Sequence, residues 1–251
     1  MFKLRAPSAR AATRATALAV ALAALVPAAA MAGKNDVDKV MGSITAHAGQ
    51  TYGDLTTVNG SIRVEAGAKA SDATTVNGSI HLETGASIGN AETVNGSVRG
   101  DERIRAASVQ TVNGSIRLGS GSQVGDIETV NGSVFVDRGS SVGKDVETVN
   151  GAIGLVDTDV AGGISTVNGD ITVGVGSHVR GGITVEKPTS NWMPVSTNRR
   201  KLRIIVGPNA IVEGSLVFKR DVNLYVHNTA RIGQVTGATA VRYDGATAPK
   251  D

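Results

Sequence analysis

The sequence predicts an all-β fold, a single-stranded parallel β-helix of about ten coils with an 18-residue repeat. The hexapeptide TVNGSI recurs in near-copies, whose asparagines are spaced by 18, 18, 18, 18, 19 and 18 residues. Aromatic residues make up only 3% of the chain, and there are 32 glycines, so a compact core is a poor fit. A fixed repeat of this length is typical of a solenoid, in which each repeat forms one coil.

The competing interpretation is a series of hairpins, because Asn-Gly between apolar residues is the strongest short hairpin signal. Hairpin loops normally vary in length, whereas here the whole 18-residue unit is kept. In the unit "VNGSIRLGSGSQVGDIET", we expect five residues to face the core: Val112, Ile116, Leu118, Val124 and Ile127. Each would stack on its equivalent in the next coil, about 4.8 Å away. The extra residue in "VGKDV" would fall at a corner.

In a solenoid, each repeat position becomes a column of identical side chains. The stacked asparagines are expected to form a structural ladder of hydrogen-bonded amides, consisting of Asn59, Asn77, Asn95, Asn113, Asn131, Asn150 and Asn168. The glycine after each Asn is expected at a corner that needs positive φ or has no room for a Cβ atom. Alternatively, Thr, Asn and Ser would all face solvent, as a flat polar array for a periodic ligand such as a glycan strand or ice.

Charged residues form two further columns. A basic column contains Arg63, His81, Arg99 and Arg117, and an acidic column two residues on contains Glu65, Glu83, Asp101 and Asp137. The basic column alone would suggest an anionic polymer as ligand. Because the acidic column lies beside it, we expect a solvated face in which the charges compensate one another.

The first residues are typical of a signal peptide, spanning residues 1–32. Four basic residues precede the apolar run "ATALAVALAALV", and "AMAG" supplies small residues for cleavage. The apolar run is too short for a transmembrane span, which needs about 20 residues. We therefore expect a periplasmic or cell-surface protein with no transmembrane span in the mature chain. Without the leader, 21 basic residues face 22 acidic ones, so the charge gives no support for a nucleic-acid partner.

The remaining chain is expected to comprise five segments. They are an N-terminal capping coil (33–56), the TVNG-repeat β-helix (57–186), an inserted loop (187–203), C-terminal β-helix coils (204–237) and a flexible tail (238–251). The loop carries a candidate site for an envelope glycan or anionic polymer, formed by Trp192, Arg199, Arg200 and Lys201. The apolar C-terminal coils are candidates for forming a homo-oligomer through Leu216, Phe218, Leu224 and Tyr225.

The sequence gives no catalytic pattern, so we expect a non-enzymatic protein without a cofactor. Its four histidines lack metal-ligand spacing, and it has no cysteine. "VGPNAIVEG" resembles the hexapeptide repeats of left-handed β-helix acyltransferases. Those enzymes use a catalytic histidine, for which His227 is the nearest candidate. Acyl transfer is the distant alternative.

Two bacterial groups resemble longer stretches, together covering about residues 38–240. "VGPNAIVEGSLVF", "ARIGQVTG" and the recurring G-S-x-V-G-x-I resemble the bactofilins, which are polymer-forming cytoskeletal proteins. The TVNGSI units are similar to an adhesin-like β-solenoid family of envelope proteins. The bactofilin resemblance implies a non-enzymatic rod that polymerises end to end without nucleotide. Because bactofilins are usually cytosolic and this chain has a leader, we expect an envelope scaffold instead.

Overall fold

The computed structural model describes residues 35–188 and 200–250, and these residues form β-strands and turns without a helix. The predicted leader, residues 1–32, lies outside the described residues. The N-terminal strands are β1 (Val37–Met41), β2 (Ile44–Ala46), β3 (Leu55–Asn59), β4 (Ile62–Val64), β5 (Lys69–Asn77), β6 (Ile80–Leu82), β7 (Ser87–Asn95), β8 (Val98–Gly100) and β9 (Arg105–Asn113). The central strands are β10 (Ile116–Leu118), β11 (Gln123–Asn131), β12 (Val134–Val136), β13 (Ser140–Val142), β14 (Val146–Asn150), β15 (Ile153–Leu155), β16 (Thr158–Val160), β17 (Ile164–Asn168) and β18 (Ile171–Val173). The C-terminal strands are β19 (His178–Val179), β20 (Ile183–Val185), β21 (Leu202–Val206), β22 (Ile211–Val212), β23 (Leu216–Phe218), β24 (Val222–His227), β25 (Arg231–Ile232), β26 (Val235–Thr236) and β27 (Ala240–Tyr243).

The strands stack in parallel, which confirms the β-solenoid and its 18-residue register. One sheet has 11 strands, one from each coil, and the other has 16. Asn77 pairs with Asn95, and Ile80 pairs with Val98 in the other sheet. Eleven coils at the usual inter-strand spacing make a rod roughly 50 Å long.

The extra residue in "VGKDV" changes how one side of the rod is built. Before it, each coil from β5 to β11 uses one nine-residue strand, as in Gln123–Asn131. After it, the same side is divided between two short strands, such as β13 and β14, and later coils repeat the division. The insertion therefore falls at a corner, as predicted. Each later coil keeps the two-strand arrangement, because its strands pair with those of the coil before it.

The core is a narrow shaft of stacked aliphatic side chains. On the short-strand side it contains large residues, including Ile62, Ile80 and Ile116, which are fully buried. The other side contributes both small residues, such as Ala73, and large ones, such as Leu55 and Ile127. The shaft is too narrow for many aromatic rings, which accounts for their scarcity.

The predicted inward position of Val112 and its equivalents is wrong. The threonine before each of these valines is buried, for example Thr75 and Thr111 at 0% exposure, and the valine lies on the outer surface with part of its side chain exposed. Val112 and Val167 are only 8% exposed, but neither belongs to the core cluster. Strand alternation explains the error: Ile127 is inward, so Thr129 is inward and Val130 must point outward.

One coil departs from the core pattern and compensates for it. Gly100 occupies the inward position that Leu82 and Leu118 fill in the adjacent coils. The missing volume is filled by Ile104, which is fully buried where the preceding coil has Ala86. A Cβ atom at Gly100 would lie 2.9 Å from Cγ1 of Ile104, so the two residues share one space.

The C-terminal end of the rod also differs from expectation. The segment expected to be a flexible tail contributes β27, whose residues Ala240–Tyr243 pair in parallel with β24. Tyr243 is buried and packs edge-on against His227, with the ring centroids 5.1 Å apart. This strand completes the last coil by pairing along one edge with β24.

Candidate functional site: the stacked columns and the rod ends

The buried threonine column is held by the glycine column beside it. In Thr75, Thr93 and Thr111 the hydroxyl group donates a hydrogen bond of 2.8–2.9 Å to the carbonyl oxygen of a glycine in the preceding coil. A buried hydroxyl needs such a partner. These bonds place the threonines inside the shaft, so the outward-facing array of Thr, Asn and Ser considered from the sequence does not exist.

The glycine of each TVNG unit is required for space and, in most coils, not for positive φ. A Cβ atom at Gly114 would lie 1.9 Å from the carbonyl oxygen of Gly96. The left-handed residues form a different column, at the corner after each short strand, with Gly67 and Gly85 as examples. In two coils the residue in that column is not glycine: Arg103 and Asp157 occupy it, both with positive φ.

The predicted asparagine ladder is present and faces solvent. Each Nδ2 group donates to Oδ1 of the asparagine in the preceding coil, at 2.9–3.0 Å, through six bonds from Asn77 to Asn168. The ladder passes the 19-residue repeat without a break. All of its members are exposed, so its amide groups are accessible from one edge of the rod.

The acceptor end of the ladder is capped by an arginine that lies outside the TVNG repeats and that no sequence motif indicates. Arg220 donates from Nη1 to Oδ1 of Asn168 at 2.6 Å and to the backbone oxygen of Val167 at 3.0 Å. These bonds connect the repeat coils to a coil more than 50 residues later in the chain.

Replacing Arg220 by methionine is expected to lower the free energy of unfolding by about 1–2 kcal/mol, because two hydrogen bonds from a charged donor are lost. Arg231→Met serves as the control, since Arg231 is exposed and its side chain forms no hydrogen bond or ion pair with the described residues, and it should change stability by less than about 0.5 kcal/mol. Denaturant unfolding measures both. Equal stability of the two variants would contradict the capping role.

The charge columns pair between coils, as expected for a compensated face. Arg63 bonds Glu83 at 2.8 Å, and His81 bonds Asp101 at 3.2 Å. Solvent screens such pairs, so each stabilises the fold by at most about 1 kcal/mol. The pattern stops at Gly119, which occupies the next position of the acidic column.

The candidate loop is only partly described. Trp192 and Arg199 lie outside the described residues. Arg200 forms an ion pair with Asp170, whose other oxygen accepts the backbone N–H of Arg203 at 2.8 Å. Asp170 thus fixes the point where the chain returns to the rod, and Lys201 is exposed beside it.

The four side chains expected to mediate self-association are packed within the chain. Leu216 and Leu224 are at most 1% exposed, and Phe218 and Tyr225 are 5% and 8% exposed. Leu216, Phe218 and Leu224 belong to the core, and the guanidinium group of Arg203 lies 5.3 Å from the centroid of the Tyr225 ring, so the four side chains offer little surface for contact. His227 is also occupied: it contacts Thr229 at 2.8 Å and the ring of Tyr243.

The exposed apolar residues lie mainly at the rod ends. Val40 and Met41 in the first coil are 58% and 79% exposed, and Val241 in the last coil is 50% exposed. Among the described residues, β1 and β2 pair on one edge only, as do β25, β26 and β27. Both ends therefore present backbone N–H and C=O groups without a strand partner.

The two halves of the rod carry opposite charge. Residues 35–170 contain 17 acidic and 9 basic residues, a net charge of −8. Residues 171–188 and 200–250 contain 4 acidic and 10 basic residues, a net charge of +6. At the acidic end, burial and then the neighbouring carboxylates Asp72, Asp36 and Asp38 raise the pKa of Asp54. The overall charge near zero concealed this separation.

No family model, curated protein or solved structure matches the chain. Within residues 35–188 and 200–250, the structure contains no group of three or more His, Asp or Glu side chains that could hold a metal ion. The same residues include no helix long and apolar enough to cross a membrane.

Proposed function

We propose that the protein is a non-catalytic structural rod of the bacterial cell envelope that assembles end to end with further copies of itself. The observation that carries this proposal is the pair of open ends, each with unpaired strand edges and exposed apolar side chains. Export by the N-terminal leader would bring the rod to the periplasm or the cell surface. The likeness of the C-terminal repeats to bactofilins agrees with a polymerising role.

The charge separation supports a head-to-tail arrangement. Two acidic ends would repel each other, as would two basic ends, whereas an acidic end attracts a basic one. The strands at both ends run parallel to the rest of the stack, so a second copy placed head to tail would continue the same parallel pairing. Such a contact is heterologous and does not close, which generates a filament. The first coil, expected from the sequence to be a cap, is then a contact surface.

Two variants, each blocked at one end, test this proposal. The first is Asp38→Lys with Met41→Lys at the acidic end, and the second is Arg231→Glu with Val241→Glu at the basic end. Each variant alone should sediment as a monomer, because a head-to-tail contact needs both ends. An equimolar mixture should associate, since the first variant keeps its C-terminal end and the second keeps its N-terminal end. Analytical ultracentrifugation of the chain from residue 33 measures these states.

The matched control is Lys144→Glu, which reverses one exposed charge in the middle of the rod and should leave the wild-type oligomers intact. Persistent dimers of the first variant alone would indicate contact between identical C-terminal ends. A wild-type chain that stays monomeric at high concentration would refute self-assembly.

A second candidate function is binding of an anionic polymer or glycan by the basic half of the rod. Its net charge of +6 and the exposed Lys201 support this candidate. Pull-down on peptidoglycan and lipopolysaccharide tests it. Binding that is lost in Trp192→Ala would favour the inserted loop, and binding unchanged in that variant would exclude Trp192 from the site.

A further inference from the structure

Two arginines of the basic column, Arg99 and Arg117, lack the ion pair that the first two members of the column form with the next coil. Arg63 and His81 each pair with a carboxylate 20 residues later. For Arg99 that position is Gly119, and Arg99 lies instead 3.7 Å from Asp101, which His81 already binds.

Arg117 is held differently from the other members of the basic column. It forms no ion pair within the part of the chain that the structure describes, and its guanidinium group lies 5.0 Å from the centroid of the Phe135 ring. A cation–π contact of this kind positions the guanidinium group but satisfies none of its N–H donors. Asp137, which Arg117 would otherwise reach, lies 3.8 Å from the adjacent Arg138.

A surface notch of about 420 Å³ opens at this place. Its floor includes Gly119, where a Cβ atom would lie 2.8 Å from the carbonyl oxygen of Asp101. Its charged and aromatic lining consists of Arg99, Arg117, Phe135, Asp101, Glu102 and Asp137. The volume is in the range of small-molecule sites.

The lining favours a hydroxyl-rich ligand over an ion. Two guanidinium groups face three carboxylates, so the notch has a net charge of −1 and does not attract an anion. Guanidinium groups only donate hydrogen bonds and carboxylates only accept them, whereas each hydroxyl group does both. Neighbouring hydroxyls on a sugar ring match such a mixed set.

We propose that this notch, bounded by Arg99, Arg117, Phe135 and Asp101, binds a neutral saccharide unit. Arg117 donates to ring hydroxyls, Asp101 and Asp137 accept from them, and Phe135 is a positioning residue that holds Arg117. The site lies on the side of the rod, away from both ends, so it remains available in a filament. It does not depend on self-assembly.

Saturation-transfer NMR of the chain from residue 33 tests the proposal with three neutral probes: maltotriose, cellotriose and N-acetylated chitotriose. At least one should bind, and Arg117→Met should weaken that binding by roughly tenfold or more, as expected for lost hydrogen bonds to a charged donor. Phe135→Leu should weaken it in the same direction. Arg63→Met is the matched control, because Arg63 belongs to the same column but pairs with Glu83 outside the notch, and it should leave binding unchanged.

Three results would overturn the proposal. The first is that none of the three probes binds at millimolar concentration. The second is that Arg63→Met and Arg117→Met weaken sugar binding equally. The third is that glucuronic acid or inorganic phosphate binds more tightly than the neutral sugars. Circular dichroism of each variant confirms that it is folded, and only folded variants are compared.

Discussion

Replacing Gly114 by alanine is expected to lower the free energy of unfolding by about 3 kcal/mol, near the upper end of the usual cost of overpacking. The added methyl group would lie 1.9 Å from the carbonyl oxygen of Gly96 and 2.5 Å from its carbon. Both atoms belong to the backbone of the preceding coil, so no side chain can move aside. The same oxygen accepts the hydroxyl group of Thr111 at 2.8 Å, and displacing it would break that bond as well.

Gly139→Ala is the matched control for this prediction. Gly139 has φ of +67°. A Cβ atom added there would come no closer than 3.9 Å to the coil before it, where the nearest atom is the backbone nitrogen of Gly121. Alanine there meets no obstruction and loses only about 1 kcal/mol from the left-handed backbone. Denaturant unfolding of both variants compares crowding with backbone strain. A larger loss at Gly139 than at Gly114 would contradict the close stacking of the TVNG corners.

The second large effect is expected where Gly100 and Ile104 share one space. Ile104→Ala should cost about 3 kcal/mol, because it leaves a cavity in the shaft. Gly100→Leu alone should cost about 2 kcal/mol, because its side chain collides with Ile104. The double variant restores the arrangement of the preceding coil, where Leu82 and Ala86 occupy these positions. It should lose less than about 1 kcal/mol, which is a coupling free energy of at least about 4 kcal/mol.

Gly100→Leu combined with Ile153→Ala provides the control for this coupling. Ile153 is 1% exposed and lies three coils away, so the two losses should add. Additive losses for Gly100→Leu with Ile104→Ala would mean that the two side chains do not compete for the same volume.

The repeat spacing was sufficient to predict the solenoid, its parallel register and the asparagine ladder, because stacking follows directly from an 18-residue period. The direction of the valine at the start of each unit could also have been obtained from the sequence. Strand alternation from Ile127 makes Thr129 inward and Val130 outward, but hydrophobicity favours the opposite choice. Only the hydrogen bond to a glycine carbonyl makes a buried threonine favourable.

Other features depend on contacts that sequence spacing does not encode. Arg220 caps the ladder from a coil outside the TVNG repeats, after an insertion that obscures the period. Tyr225 lies beside β27, a strand in a segment without a repeat motif, and Arg203 lies over its ring. The notch depends on a single interruption of a charge column at Gly119, and its significance appears only when the side chains on either side are placed.

Disulfide cross-linking tests the stacked register most directly, since the chain contains no cysteine of its own. In the double variant Asn77→Cys with Asn95→Cys, the two positions pair in adjacent coils, at about the Cα separation that a disulfide requires. This variant should form an intramolecular disulfide on mild oxidation, whereas Asn77→Cys with Asn113→Cys, two coils apart, should not. Cross-linking of the second pair in preference to the first would contradict the parallel solenoid.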